Sequence, residues 1–277
     1  MDVALVTGAG GGMGLACARR MIARALVVVA DIDGDAASRA ARDLERMGGR
    51  ALAVAGDVAD PEGIRRMLDA ATGAGRLVAV AHAAGVSPTM AVWQRVMEVD
   101  LCGSARVVAA VQPVLAGGGA MVCFASIAGH LVTPPAEVVA LLDAPLETDL
   151  VGGLEPYLAG EHLEGIAYGW AKYGVIRLCQ RMASSFGDRG ARIVSVSPGL
   201  ILDTPQGEQE LARQPAMRAM LELTPLRRGG RAEDIAAVVE WLCFSPDAAF
   251  ITGTDLRIDG GVTAALQYGT PGAPNTP

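Results

Sequence analysis

The chain has 277 residues, of which 51% are hydrophobic, and it carries a formal net charge of −7. This length suits one large α/β domain whose aliphatic residues fill buried parallel strands, while the acidic balance argues against a nucleic-acid partner. The five cysteines are scattered, the three histidines lack metal-ligand spacing, and no apolar stretch reaches the length of a membrane span, so we expect a cytoplasmic protein with reduced cysteines, no metal and no membrane partner.

Short apolar runs alternate with amphipathic stretches along the chain, which is the pattern of a doubly wound parallel sheet. The predicted strands are 3–7, 26–31, 51–56, 77–81, 120–125, 192–197 and 255–258. The predicted helices lie near 13–23, 34–47, 61–72, 94–115, 168–187 and 232–244. We therefore predict an α/β fold with a seven-stranded parallel sheet as a single domain over 1–268, followed by a flexible tail at 269–277.

Two segments interrupt this rhythm. The first, 130–165, is rich in proline and acidic residues, with short helices predicted around 136–142 and 149–158. The second, 200–224, contains Pro205 and Pro215, is followed directly by Pro225, and is predicted to hold a short helix. Both follow the carboxyl ends of strands, where open α/β sheets bind their ligands, so the second segment is interpreted as a substrate loop.

The segment TGAGGGMG at 7–14 lies between the first strand and the first helix. Small residues allow a tight turn and a close approach to a pyrophosphate, and the helix N-terminus presents free N–H groups to it. The alternative is a flexible turn without a ligand. The predicted cofactor contacts in this turn are Gly8, Gly10, Gly11, Gly12, Met13 and Gly14.

Asp31 ends the second predicted strand. A carboxylate at this place accepts hydrogen bonds from the adenosine ribose hydroxyls and repels a 2′-phosphate. Because the glycine-rich turn carries no Arg or Lys, the sequence favours NAD over NADP. The alternative is that Asp31 only caps the next helix, for which Asp33 is the better candidate.

Tyr168 and Lys172 are four residues apart in a helical pattern, so they share one face of the helix. An ammonium beside a phenol lowers the phenol pKa from about 10 toward neutrality, which lets the phenol exchange a proton with an alcohol or a ketone. Lys172 is the single lysine among 23 Lys and Arg residues, which indicates a chemical need for lysine. The alternative is an ordinary exposed pair on a helix.

Several further motifs accompany this pair along the chain. They are GDV at 56–58, HAAG at 82–85, FASIAG at 124–129, YGWAK at 168–172, SPG at 197–199, PLRRGGRAEDIA at 225–236 and FITGTDLRIDGG at 250–261. With the glycine-rich turn, they resemble the motifs of the short-chain dehydrogenase/reductase family, in its single-domain branch, over essentially the whole chain. The resemblance implies a Rossmann-type fold and a homodimer or homotetramer.

The resemblance also implies residue roles. Ser126 would hold the substrate oxygen, Tyr168 would act as general acid/base, and Lys172 would tune Tyr168 and bind the nicotinamide ribose. The further implied cofactor contacts are Ile32, Asp57, Val58, Ala83, Ala84, Gly85, Pro198, Gly199, Ile201 and Thr204. His130 follows Ser126 closely and is a candidate for the substrate pocket.

The chain departs from the family pattern at four places. Asp100 stands where the family has an active-site Asn, so its backbone carbonyl could keep the role of supporting a water linked to the lysine, while its charge would alter the field around Lys172. His82 replaces the first Asn of the NNAG motif, and we expect a packed, hydrogen-bonded histidine there. The 130–165 insertion separates Ser126 from Tyr168, and PGLILDT at 198–204 is one residue longer than usual.

The insertion has two open interpretations: a lid or wall over the substrate, or an interface element beside the helices that commonly form the family's dimer contact. It resembles the extra segment of bacterial 3α-hydroxysteroid dehydrogenase/carbonyl reductase-like members, which implies a bulky hydrophobic substrate. We therefore expect an NAD(H)-dependent oxidoreductase acting on a cyclic secondary alcohol or ketone. The alternatives are a non-catalytic NAD-binding regulator and, less favoured by the YxxxK spacing, an enoyl reductase.

Overall fold

Seven parallel strands form one sheet in a computed structural model that describes residues 1–160, 163–213 and 215–269. The strands are β1 (Asp2–Thr7), β2 (Leu26–Asp31), β3 (Ala51–Ala55), β4 (Arg76–His82), β5 (Ala120–Phe124), β6 (Arg192–Pro198) and β7 (Asp255–Ile258). Their order is β3-β2-β1-β4-β5-β6-β7. The predicted α/β fold is confirmed, and the chain reverses its winding direction between β1 and β4, where such sheets bind ligands. Of the predicted tail, residues 270–277 lie outside the described residues.

The central strands are largely apolar because helices cover both faces of the sheet, whereas the edge strands β3 and β7 are partly exposed. Successive side chains of a strand point to opposite faces, so Val3 and Leu5 belong to one core, and Ala4 and Val6 to the other. All four are essentially inaccessible to solvent. Two hydrophobic cores therefore hold the sheet rigidly between helical layers, and the carboxyl ends of the strands become a fixed platform.

The helices of the two layers end close to their predicted limits. One layer contains α1 (Gly12–Met21), α2 (Gly34–Arg46) and α11 (Ala232–Phe244). The other contains α3 (Pro61–Ala74), α4 (Trp93–Val96), a π-helix (Met97–Gly103), α5 (Ser104–Val111) and α8 (Glu164–Gly187). The remaining helices are α6 (Ala136–Asp143), α7 (Leu150–Leu154), α9 (Pro205–Arg213), α10 (Pro215–Leu223) and α12 (Val262–Tyr268).

The prediction of a single regular helix near 94–115 is wrong. It consists of α4, the π-helix and α5, and it ends at Val111. The Ser104 hydroxyl donates a 2.6 Å hydrogen bond to the carbonyl of Asp100, four residues earlier. Such side-chain bonds compete with the backbone pattern and distort helices, and π-segments occur often at functional sites. The distortion lies at Asp100, which the sequence singles out.

The second segment, 200–224, holds two helices where one is predicted. Thr204 caps α9, because its hydroxyl accepts a 3.0 Å hydrogen bond from the N–H of Gly207. The next helix, α10, begins at Pro215, a position where the missing N–H of proline costs nothing. Pro215 thus begins a second helix where one helix is expected.

The 130–165 insertion packs on α8 and on the helices beside it. Asp143 at the end of α6 receives two hydrogen bonds from Arg177 of α8, at 2.6 and 2.7 Å. Val138 and Leu142 of α6 join the hydrophobic core on that side of the sheet, and the Cys102 thiol donates to the carbonyl of Pro145 at 3.4 Å. The insertion is therefore an integral part of the helical layer.

Within the described residues, no helix combines the length and the apolar character needed to cross a bilayer.

Candidate active site

The glycine-rich turn requires glycine at particular positions. Gly8 and Gly12 have φ angles of +66° and +52°, which L-residues with a side chain seldom adopt. A Cβ on Gly8 would lie 2.8 Å from the backbone of Ala84, and a Cβ on Gly14 would collide with the carbonyl of Gly8. The turn therefore packs backbone against backbone and leaves the N-terminal end of α1 open for a phosphate group.

Asp31 is fixed beside this turn. Its carboxylate accepts hydrogen bonds from the N–H of Gly10 at 2.8 Å and from the N–H of Asp33 at 3.0 Å. The cap of α2 is Asp33, which accepts from the N–H groups of Asp35 and Ala36. Asp31 is thus not the helix cap, and its carboxylate is oriented toward the cleft described next.

A cleft of about 400 Å³ runs over the carboxyl ends of β1, β2, β3 and β4. The predicted cofactor residues that line it are Gly8, Gly11, Gly12, Met13, Gly14, Asp31, Ile32, Asp57, Val58, Ala83, Ala84, Gly85 and Thr204. Gly10 lies beneath, against Asp31. The close backbone turn, the helix N-terminus and the acidic group at the far end fit a dinucleotide, with the pyrophosphate at 8–14 and the adenosine ribose at Asp31.

Asp57 lies at the adenosine side of the cleft and is bound to two partners. Its carboxylate accepts from the N–H of Ala59 at 2.8 Å and from the Arg95 guanidinium at 2.6 Å. Burial opposes ionisation, but these two donors outweigh it and hold the pKa of Asp57 below its usual value. Arg95 also lines the cleft, so Asp57 faces the adenosine side as an ion pair with Arg95.

The predicted catalytic residues come together next to this cleft. Tyr168 and Lys172 share one face of α8, with the ammonium 5.4 Å from the centre of the phenol ring. Ser126 follows β5 and lines the same space as Tyr168, and its hydroxyl accepts a 3.2 Å hydrogen bond from the N–H of Ala128. The Lys172 ammonium donates to the carbonyl of Phe124 at 3.1 Å. The strand end and the helix face therefore fix all three side chains relative to one another.

Asp100 contacts Lys172 directly. Its Oδ2 lies 3.1 Å from the Lys172 ammonium, and its Oδ1 accepts a 2.8 Å hydrogen bond from the N–H of Val86. Both side chains are buried. The Asp100 backbone carbonyl is the sequence-based candidate for supporting a water linked to the lysine. In the structure it accepts a hydrogen bond from the Ser104 hydroxyl. The carboxylate is therefore the group through which Asp100 acts on the lysine.

The charges around Tyr168 do not add up to the expected low pKa. Burial raises the pKa of Tyr168, Lys172 lowers it, and the nearby Asp100 carboxylate raises it again, so the net pKa lies above its usual value. Burial by itself would lower the pKa of Lys172, but the charge of Asp100, the neighbouring Tyr168 and the hydrogen bond to Asp100 together outweigh burial and raise it. The expectation that Lys172 brings the phenol pKa toward neutrality is therefore correct for the effect of the lysine alone and wrong for the net pKa, because burial and Asp100 together outweigh the lysine.

His82 is a packed, hydrogen-bonded residue, as the sequence predicts. Its Nδ1 lies 2.8 Å from the Thr7 hydroxyl, and its Nε2 lies 3.0 Å from the Ser104 hydroxyl. Complete burial, together with the charge of Lys172, lowers the pKa of His82 to about 3. The ring is therefore neutral in the folded protein and ties β1 to the start of α5, directly after the π-helix that carries Asp100.

This neutral ring predicts a pH-dependent stability. In the unfolded chain the histidine pKa is about 6.5, so protons favour the unfolded state as the pH falls from about 6.5 toward 3. We expect the free energy of unfolding in urea to decrease between pH 7 and pH 5, and His82→Leu to remove that slope. At pH 7 the substitution costs about 1–3 kcal/mol, because two buried hydroxyls lose their partner. An identical slope in both proteins would contradict this.

His130 is not in the substrate pocket, which corrects the prediction made from its closeness to Ser126. Its Nε2 lies 2.8 Å from the Asp255 carboxylate and 3.2 Å from the Ser197 hydroxyl. The short 3₁₀-helix that begins after Ser126 turns this side chain toward β6 and β7, where the nearly buried carboxylate binds it. His130 therefore links the sheet edge to the loop after β5.

A second cavity, of about 270 Å³, opens beside Ser126 and Tyr168. Three of the residues predicted for the cofactor, Pro198, Gly199 and Ile201, line this cavity instead of the cleft. The two spaces meet at Met13, Thr204 and Gln206, which line both. The 200–224 segment supplies the wall of the second cavity through α9 and α10, as the sequence predicts.

The 130–165 insertion contributes little to this cavity. Of its described residues, Leu131 and Gly165 at its two ends line the space, while α6 packs on α8 and α7 packs on α6. The described part of the insertion thus lies on the helices that were considered as a contact surface, and the lid interpretation is not supported.

Two protein-family models match this chain. The model described as short chain dehydrogenase matches residues 2–138, and the model described as Enoyl-(Acyl carrier protein) reductase matches residues 157–263. Short-chain dehydrogenase/reductase bsc3 of Alternaria brassicicola is 30% identical over 197 residues, which cover 68% of this chain and 69% of that protein. The chain belongs to the short-chain dehydrogenase/reductase family. It is therefore an oxidoreductase by family.

Two relatives cover nearly the whole of this family member. Cyclohexanol dehydrogenase of Acinetobacter sp. is 32% identical over 276 residues, with 95% of each chain covered. The structure of 7α-hydroxysteroid dehydrogenase complexed with NADH and 7-oxo glycochenodeoxycholic acid superimposes with a TM-score of 0.75 at 25% identity, covering 94% of this chain and 93% of that one. The similarity thus extends through both the glycine-rich turn and the wall formed by α9 and α10.

The sequence motifs did not predict two residues that line the site of this family member. Arg95 in the cleft and Glu210 in the second cavity belong to no motif, and each reaches the site from a helix distant in sequence. In amphipathic or strand patterns such residues look like ordinary surface or core positions. Among the described residues, no group of three or more His, Cys, Asp or Glu is placed to hold a metal ion.

Proposed function

We propose that the protein is an NAD(H)-dependent oxidoreductase that interconverts a secondary alcohol and a ketone, with Tyr168 as general acid/base. The observation that carries the proposal is that the second cavity and the dinucleotide cleft adjoin each other. Ser126 and Tyr168 line one end of the second cavity, and that cavity joins the dinucleotide cleft at Met13 and Thr204. A carbinol carbon held at Ser126 and Tyr168 is therefore next to the cleft.

The proposed substrate is bulky or cyclic and hydrophobic. The second cavity is lined mainly by aliphatic side chains and backbone, with Met217 and Met220 on its outer wall; methionine adapts to irregular apolar shapes. The resemblance to a cyclohexanol dehydrogenase and to a 7α-hydroxysteroid dehydrogenase supports a ring compound of this kind.

The proposed mechanism assigns one task to each side chain. During oxidation the substrate hydroxyl transfers its proton to the Tyr168 phenolate, while Ser126 holds the same oxygen by a hydrogen bond. Lys172 stabilises the phenolate and, in this proposal, also binds ribose hydroxyls of the dinucleotide. A nicotinamide dinucleotide bound in the cleft supplies the hydride acceptor in this direction and the donor in the other. During reduction Tyr168 returns the proton to the ketone oxygen.

The activity is tested by NAD reduction with a panel of cyclic, steroidal and aryl secondary alcohols, run in parallel with NADP. We expect turnover of several cyclic members. Absence of turnover with every alcohol, together with unimpaired NADH binding, would favour the non-catalytic NAD-binding alternative. The name of the model that matches residues 157–263 makes an enoyl substrate the useful negative control, because Tyr168 and Ser126 are placed for carbinol chemistry.

Asp31 is proposed to select NAD. Both of its oxygens are held by backbone N–H groups, and its charge would repel a 2′-phosphate. We expect Asp31→Asn to lower the ratio of kcat/KM for NAD to that for NADP by at least about tenfold, measured with one alcohol. Asp35→Asn, an equal charge change in the first turn of α2, is the control and should leave the ratio unchanged. A wild-type preference for NADP would contradict the assignment.

We also propose that the protein works in the cytoplasm as a homodimer or homotetramer. The five cysteines are free and buried, which suits a reducing compartment. Because α6 of the insertion packs on α8, a subunit contact at this face of α8 would include the insertion.

A further inference from the structure

The second cavity contains one charged side chain among its described lining residues. Most of the lining is aliphatic side chain or backbone. Besides Ser126 and Tyr168, the uncharged polar side chains that line the cavity are Thr204 and Gln206. Glu210 adds a carboxylate from α9, and neither Lys nor Arg is among the residues that line this space. The lining of the cavity is therefore mainly apolar and carries one negative charge, that of Glu210.

Glu210 is held in place by its own helix. Thr204 caps α9, and Gly207 packs so tightly on the carbonyl of Ile201 that a Cβ would not fit there. The side-chain amide of Gln206, one turn before Glu210, donates a 3.1 Å hydrogen bond to its Oε1. Glu210 is a partly exposed residue that lines the second cavity.

The charge of Glu210 reaches the reacting group. It contributes to raising the pKa of Tyr168, after burial and Asp100. A substrate seated between Tyr168 and α9 therefore feels this carboxylate too. A neutral apolar substrate that fills the cavity strips water from the carboxylate without replacing its interactions, which is unfavourable. A cation in the same place offsets that loss.

We propose that Glu210 is a specificity-determining residue that selects cyclic ketones and alcohols bearing a positive charge, such as an ammonium group, on the side of the ring away from the carbinol carbon. This inference rests on the proposed alcohol/ketone activity and narrows its substrate class. The apolar lining receives the ring, Ser126 and Tyr168 receive the oxygen, and Glu210 receives the cationic end.

Three ketones of similar shape test this inference: 4-(trimethylammonio)cyclohexanone, 4-tert-butylcyclohexanone and 4-oxocyclohexanecarboxylate. With NADH, the wild type should reduce the cation with a kcat/KM about tenfold higher than that of its neutral isostere, and the anion least well. The difference should lie mainly in KM. Glu210→Gln should bring the cation and the neutral ketone to nearly equal kcat/KM while leaving the KM for NADH unchanged.

The control is Glu208→Gln, which removes an exposed carboxylate from the same helix outside the cavity. Because the chain is acidic overall, this control separates the effect of Glu210 from general attraction of cations, and it should keep the wild-type ratio. A wild-type enzyme that does not prefer the cation, or a preference that survives Glu210→Gln, would overturn the inference. Reduction of none of the ketones or other ring ketones would instead refute the proposed activity, so the two failures are distinguishable.

Discussion

Tyr168→Phe is expected to lower kcat for both alcohol oxidation and ketone reduction by about 10³-fold, because the substitution removes the group that exchanges a proton with the substrate oxygen. The ring keeps its place on α8, and the cleft that receives the dinucleotide does not depend on the phenol oxygen. NADH binding, followed by the fluorescence of the bound nucleotide, should therefore stay within about twofold of the wild type.

The matched control for this prediction is Tyr173→Phe. Tyr173 lies on the same helix with its ring 5.8 Å from the Arg177 guanidinium, and it lines neither space of the site. Its substitution should leave kcat unchanged. A Tyr168→Phe enzyme with most of its activity would show that another group moves the proton, while equal losses of turnover and of NADH binding would point to a structural role for Tyr168.

The parts of the site that the sequence predicts are those formed by residues close together in the chain. The glycine-rich turn and the Tyr168–Lys172 pair each follow from a short spacing on one element, and Asp31 follows from its place at a strand end. Their geometry is local, so a pattern is enough to predict it. The seven strands were predictable for the same reason, since each buried strand is an apolar run bounded by polar residues.

The parts that the sequence does not predict depend on contacts between distant elements. His130 follows Ser126 by four residues, yet a nearly buried carboxylate 125 residues later determines where it points. The low pKa expected for Tyr168 is reversed by burial and by Asp100, which no spacing reveals. The break at the π-helix depends on a hydroxyl that binds a carbonyl instead of pointing to solvent. In each case tertiary packing overrides the local pattern.

Asp100→Asn is expected to move the whole pH profile of alcohol oxidation to lower pH. Oxidation needs the Tyr168 phenolate, and the negative charge of Asp100 disfavours that form, so removal of this charge lowers the pKa of Tyr168 and the acid limb shifts down. Asp100 also keeps the buried Lys172 charged. Without it, burial favours the neutral amine, so the alkaline limb, on which Lys172 loses its proton, shifts down as well.

The measurement is kcat against pH with saturating alcohol and NAD, with Glu98→Gln as the control. Glu98 lies two residues away on the same π-helix with about half of its side chain exposed, where solvent and salt screen its charge, so its profile should match the wild type. Breaking a buried ion pair costs roughly 3–5 kcal/mol, but Asn can still accept the hydrogen bond from the N–H of Val86. The variant should therefore lose less than this and stay folded for the assay. An unshifted profile in folded Asp100→Asn would show that the contact between Asp100 and Lys172 does not control the ionisation of Tyr168.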